Sequence, residues 1–182
     1  MIAEAAVPLF LEHGAALTTR QLAEQLGIAE GTIFRAFGDK DSLVRAAVQA
    51  FFARGRMRLA HGLVDPRLPL EEKIRVVVGG SREWMRNVMR MLSLLDRDEA
   101  RSYFPPPKDD DYRAAITAAF APDADRLSIP LDRLPAVLRL AGAAAGAARF
   151  GDAPGLTDDE LVQLILYGIA GGPAEGRTHH AG

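Results

Sequence analysis

The sequence contains no cysteine. That excludes a disulfide framework, a thiol nucleophile and any Cys-ligated zinc or iron–sulfur site. The absence fits a reducing compartment. No stretch reaches the roughly 18 uncharged apolar residues a membrane span needs. The opening "MIAEAAVPLFLEHG" has no positive n-region and carries Glu4 and Glu12, which is not the pattern of a signal peptide. A cytoplasmic location is expected. Strand signals are scarce: "IRVVVGG" is the one β-branched run, and it lies inside a longer helical pattern. Catalytic sets are equally thin. Two of the four histidines, His179 and His180, sit in the terminal "THHAG", and neither His13 nor His61 has a partner at ligand spacing. Ser81, Ser93, Ser102 and Ser128 lack a nucleophile-elbow context. With no convergent nucleophile, base and orienting group, neither an enzyme nor a cofactor or metal site is expected.

What the chain does have is apolar content and helical period. Its 182 residues are 48% hydrophobic, enough for a packed core in one domain or in a small domain fused to a larger one. The net charge is −2, yet residues 1–60 hold seven Lys/Arg against six Asp/Glu, so the N-terminal third is the less acidic part. Periodicity predicts helices over 2–13, 19–26, 30–37, 40–62, 70–94, 109–120, 131–149 and 157–170. In the fifth, Ile74, Val77, Val78, Ser81, Met85, Val88, Leu92 and Leu95 mark one face, and Gly79 and Gly80 mark a bend or a close contact. Asp109 to Asp111 suit a helix N-terminus better than a metal, because consecutive carboxylates on a helix point in different directions. Thr157 with Glu160 forms a capping box. The fold class is all-α: a three-helix unit over 1–45, a larger helical body over 46–175 and a frayed tail over 176–182.

The densest pattern is "LTTRQLAEQLGIAEGTIFRAFGDKDSL", residues 17–43. Thr18 and Gln21 make a capping box that starts a helix at Thr19. Leu22, Ala23 and Leu26 are its apolar stripe, and Gly27 supplies the left-handed residue that ends it. The next helix buries Ile33 and Phe37 and turns Glu30, Gly31, Thr32, Phe34 and Arg35 outward. Gly38 ends it, and Asp39 caps the helix that follows. Each of the two helices is too short to be stable alone. One reading is a plain helical hairpin packed for stability. The other is a helix-turn-helix, whose second helix lies in the DNA major groove. In that second reading Thr18, Thr19 and Arg20 sit where free N–H groups favour a phosphate, Gly31 allows close approach, and Lys40 reaches another phosphate.

This segment, with the preceding "AEAAVPLFLEHGAA" and the following "VRAAV", resembles the DNA-binding domain of the TetR family of transcriptional regulators. The resemblance covers about residues 2–50. It implies a homodimeric, ligand-responsive repressor on a palindromic double-stranded DNA operator; an activator of the same fold is the alternative, since the sign of regulation depends on where the operator lies. It also implies that Arg20, Glu30, Gly31, Thr32 and Arg35 face bases or the groove, and that Thr19, Phe34 and Lys40 face phosphates. Glu30 has two readings: an acceptor for a cytosine amino group, or a surface acid favoured at a helix N-terminus. Four features depart from the family pattern. Phe34 stands where Tyr is usual, Ala29 stands where a capping Ser is usual, Pro8 falls inside the first helix, and no basic residues precede that helix.

Beyond residue 50 only all-α character is legible. Trp84, Met85, Val88, Met89 and Leu92, with Ser81, Phe104 and Phe120, are either ordinary core or the lining of a pocket for an apolar small-molecule effector, Met being adaptable. Ala141, Ala144, Ala145 and Ala148 in one helix, and Leu161, Leu164, Ile165 and Gly168 in another, are either internal packing or, as the resemblance implies, the homodimer interface.

Overall fold

The computed structural model describes residues 1–60, 64–103, 110–147 and 156–169. Those residues form nine α-helices and no strand: α1 (Ile2–His13), α2 (Thr19–Leu26), α3 (Glu30–Phe37), α4 (Lys40–Ala60), α5 (Leu70–Leu92), α6 (Arg97–Ser102), α7 (Asp110–Phe120), α8 (Leu134–Ala147) and α9 (Asp158–Ile169). The chain divides into two compact units. One holds Met1–Arg58 and Arg86–Lys108, the other Leu59–Met85 and Asp109–Gly182. This division interrupts α4 and α5.

The N-terminal unit is built by local signals that read cleanly. Thr18 accepts a hydrogen bond from the Gln21 N–H (3.2 Å), and Gln21 Oε1 accepts one from the Thr18 N–H (3.0 Å), which closes the capping box. Gly27 takes φ 66° and ψ 31°, and the Ile28 N–H reaches the Ala23 carbonyl at 3.0 Å, so the turn out of α2 is a left-handed helix stop. Asp39 accepts from the Ser42 N–H at 2.7 Å and caps α4. Ala6, Val7 and Phe10 of α1, Leu22 and Ala23 of α2, Ile33 of α3, and Leu43, Val44, Ala47 and Val48 of α4 are buried. Pro8 lies inside α1 on its exposed side, and the helix continues through it although one backbone donor is missing.

The same unit contains a helix that the periodicity misses. Asp96 accepts from the N–H groups of Asp98 (3.0 Å) and Glu99 (2.8 Å) and starts α6. Glu99 pairs with Arg45 of α4 at 3.3 Å, and Tyr103 stacks on Phe52 with ring centroids 5.0 Å apart.

The second unit has its own core. Leu70, Ile74, Val77 and Val78 of α5 pack with Tyr112, Ile116 and Phe120 of α7, Leu134 and Leu138 of α8, and Leu161, Val162 and Ile165 of α9. Fully burying an aliphatic side chain of this kind contributes about 1.5–3 kcal/mol. Lys73 lies 1% exposed at the edge of this core. Its Nζ donates to Asp123 Oδ2 (2.6 Å) and to the Ala119 carbonyl (3.0 Å). Arg126 completes Asp123 from the solvent side at 2.9 Å. A buried ammonium is tolerable only with such partners.

The close helix approach in this unit is at Gly142, not at Gly79 or Gly80. A Cβ built on Gly142 would stand 2.2 Å from Ser81 Cβ, whereas one on Gly79 or Gly80 would meet nothing within 4 Å. α5 also runs unbroken past both glycines. At the start of α9, Thr157 and Glu160 close the expected capping box, with bonds of 2.8 Å and 3.2 Å. The two hydrogen bonds from Thr157 hold the Glu160 carboxyl below the ordinary glutamate range, the backbone N–H contributing most. Arg75 pairs with Asp159 and Arg82 with Asp158, tying this helix start to α5.

Candidate nucleic-acid interface

α2 and α3 pack on each other across a turn of three residues, 27–29. Because Leu22, Ala23 and Ile33 take the inner side, with Glu30 and Phe37 half-buried beside them, the remaining face of α3 is turned to solvent. Gly31, Thr32, Phe34 and Arg35 are exposed there, and nothing lies within 4 Å of a Cβ built on Gly31. Phe34 is 46% exposed, a large apolar ring on an otherwise polar face. Arg20 is exposed on α2; its Nε holds Glu24 at 3.1 Å on the same helix, an exposed pair of small energetic weight. Its terminal nitrogens remain available as a fork of donors. Ala29 at the head of α3 makes no side-chain cap, so the first N–H groups of that helix carry no side-chain acceptor from it.

Besides Arg20, four expected contact residues, Thr18, Thr19, Glu30 and Lys40, are engaged within the unit itself. Thr18 Oγ1 donates to Gln21 Oε1 at 2.9 Å besides accepting from the Gln21 N–H, so its hydroxyl is engaged as a cap. Thr19 Oγ1 donates to Glu30 Oε1 at 2.6 Å, which takes the hydroxyl proton meant for a phosphate. Lys40 Nζ donates to the Ala15 carbonyl at 2.8 Å. An ammonium has three donors, so Lys40 keeps two for a phosphate. The Thr19–Glu30 and Lys40–Ala15 contacts join residues 11 and 25 positions apart, and no local pattern in the sequence announces either.

Of the residues read as an effector pocket, Ser81 sits against Gly142. Phe120 is fully buried in the core of the second unit, while Val88 and Leu92 are buried in the first unit's share of α5. Trp84 and Met85 in the second unit and Met89 in the first are half-buried. Phe104 lies outside the described residues.

The residues read as a dimer face are also divided. Leu161 and Ile165 are buried in the core of their own unit. Their i, i+4 spacing marks an apolar stripe without saying what covers it. Ala141 is half-buried against that core, while Ala144 and Gly168 are exposed. Nothing is described of the Ala145 side chain, and Ala148 lies outside the described residues. Leu140 of α8 and Leu164 and Tyr167 of α9 are exposed by 72%, 61% and 65%, large apolar side chains that their own chain leaves uncovered. Among the described residues no three His, Asp or Glu side chains are grouped to hold a metal, and no helix is long and apolar enough to cross a membrane.

Residues 2–47 match the family of bacterial regulatory proteins described as the tetR family. Over nearly its whole length the chain resembles the crystal structure of a transcriptional regulator of the TetR/AcrR family from Thermobifida fusca YX-ER1. The match has 22% sequence identity and a TM-score of 0.51, and covers 92% of this chain and 95% of that one. At that identity the likeness is one of fold. No curated protein matches the sequence significantly.

Proposed function

We propose that this chain is a DNA-binding transcriptional regulator, as the tetR-family match over residues 2–47 supports, and that it is a ligand-responsive repressor that binds an inverted-repeat operator as a homodimer in the cytoplasm. The observation that carries the reading is the outward set Arg20, Gly31, Thr32, Phe34 and Arg35 on a bihelical unit whose apolar side is already satisfied. In a helix-turn-helix such a set faces the major groove. Arg35 and Arg20 supply donors suited to guanine or phosphate, and Phe34 offers an apolar contact of the kind a thymine methyl accepts.

The uncovered Leu140, Leu164 and Tyr167 support self-association through α8 and α9. A two-fold dimer carries two recognition helices, so the operator has two half-sites on one side of the duplex, about one helical turn or a multiple apart. Trp84 and Met85, half-buried in the second unit, support an apolar effector that binds there. An effector releases DNA only to the extent that it prefers a non-binding arrangement of the two heads.

Sedimentation at micromolar concentration, followed by titration of operator DNA with and without an apolar effector found by thermal shift, tests the reading. A dimer that binds DNA and is released by the effector supports it. A monomer removes the homodimer, and effectors that raise the melting temperature without altering DNA affinity remove the ligand response.

A further inference from the structure

The recognition helix opens on an acid, in a face that is to meet a polyanion. Unpaired, a carboxylate there repels phosphate. Glu30 is not loose, however. It is partly buried, and its Oε1 accepts the Thr19 hydroxyl at 2.6 Å, the length of a strong charge-assisted hydrogen bond. Thr19 is the first residue of α2 and Glu30 the first of α3, so the bond ties the two helix starts together. A carboxylate accepts about four hydrogen bonds. Among the described residues Thr19 occupies one of these positions, and Oε2 has no hydrogen-bond partner.

We propose that Glu30 is a specificity-determining acceptor that reads a cytosine amino group in each half-site, and that Thr19 is the positioning residue that aims it; this rests on the DNA-binding reading above. The major groove offers two amino donors, cytosine N4 and adenine N6. Adenine N6 lies beside the N7 acceptor, which repels a second anionic oxygen. Cytosine N4 has no such neighbour on its own base, so a carboxylate selects cytosine. The Thr19 bond removes torsional freedom from a side chain that otherwise loses rotamer entropy on being fixed. The positive end of the α3 dipole favours the charge.

The competing structural role, in which Glu30 only staples α2 to α3, gives a different outcome. The test is binding-site selection from randomised duplex DNA with the wild type, Glu30→Gln, Thr19→Val and Thr19→Ser. Gln keeps an acceptor for Thr19 but pairs bidentately with adenine. The proposal expects the wild type to prefer cytosine at one position of each half-site by about 5-fold to 100-fold, and Glu30→Gln to move that preference to adenine. Thr19→Val keeps cytosine but narrows the preference several-fold, and Thr19→Ser restores it. If Glu30→Gln tightens binding to all sequences alike and leaves the preferred bases unchanged, Glu30 is a staple and the proposal is overturned. If the wild type selects an inverted repeat with no cytosine preference, the proposal fails while the DNA-binding reading stands. If the wild type selects no sequence at all, both fail.

Discussion

Among the described residues, Gly142 should be the least replaceable glycine of the helical body, and Gly80 among the most replaceable. An alanine Cβ at 142 would stand 2.2 Å from Ser81 Cβ, 3.2 Å from Ser81 Oγ and 3.4 Å from the Ser81 carbonyl carbon. Optimal carbon–carbon contact is about 3.5–4.0 Å, so the first distance demands a shift of well over 1 Å. Ser81 has no long side chain to swing aside, and its Cβ is fixed to the α5 backbone. The helices must therefore separate, and overpacking of this kind costs about 1–3 kcal/mol. Alanine recovers up to about 1 kcal/mol of helix propensity over glycine. With the full propensity gain the net for Gly142→Ala is a loss of about 0–2 kcal/mol. At Gly80 the propensity gain is unopposed, because nothing lies within 4 Å, and Gly80→Ala should gain about 0.5–1 kcal/mol. Urea unfolding measures both. The double variant Gly142→Ala/Ser81→Gly removes the clashing Cβ, leaves the 3.4 Å contact and should recover most of the loss. Stabilisation by Gly142→Ala, or no recovery in the double variant, would refute the close approach of α5 and α8.

Three further outcomes follow from named contacts. Lys73→Ala should cost up to about 3 kcal/mol, because it takes away the buried partner of Asp123 and leaves it only the exposed Arg126, while replacing Lys73 and Asp123 together by apolar residues of similar volume should cost far less; chemical denaturation separates the two. The Asp39 and Glu160 carboxyls are both held low in the folded state, chiefly by N–H donors of Ser42 and Thr157. Their stabilising contribution is therefore complete above the ordinary carboxylate range and is lost as pH falls through the depressed folded values. NMR titration should show Glu160 rising towards its ordinary value in Thr157→Val. Lys40→Ala should weaken every DNA sequence alike and reduce the salt slope by about 0.9 per head, read by fluorescence anisotropy at several salt concentrations; an unchanged slope would mean that the Ala15 carbonyl holds Lys40 away from phosphate.

How much was legible in the sequence follows the range of the interactions. Capping boxes at Thr18 and Thr157, the left-handed Gly27 and the Asp39 cap span three or four residues, and all four occur as read. Helix α6, "RDEARS", has too few apolar residues to show a period; its one signal was Asp96 ahead of two acids. The Thr19–Glu30 bond and the Lys73–Asp123 pair join positions 11 and 50 residues apart, so only the folded chain brings them together. Leu161 and Ile165 carried an apolar stripe that fits an internal core and an external interface equally well, and the core has them. Gly79 and Gly80 drew attention as a pair in a helix, yet the glycine that admits a neighbouring helix is Gly142 in an Ala-rich run, where one more small residue gives no contrast.

The central claim is that α3 reads DNA. Its most direct test is selection from a randomised duplex library with the wild-type protein, with the recovered sites re-measured at two salt concentrations. A recognition helix at α3 should select an inverted repeat with half-sites about one turn or a multiple apart, with affinity that falls steeply with salt and sequence preference that is lost in Arg35→Ala. Recovery of no common sequence, with weak binding insensitive to salt and to Arg35→Ala, would contradict it.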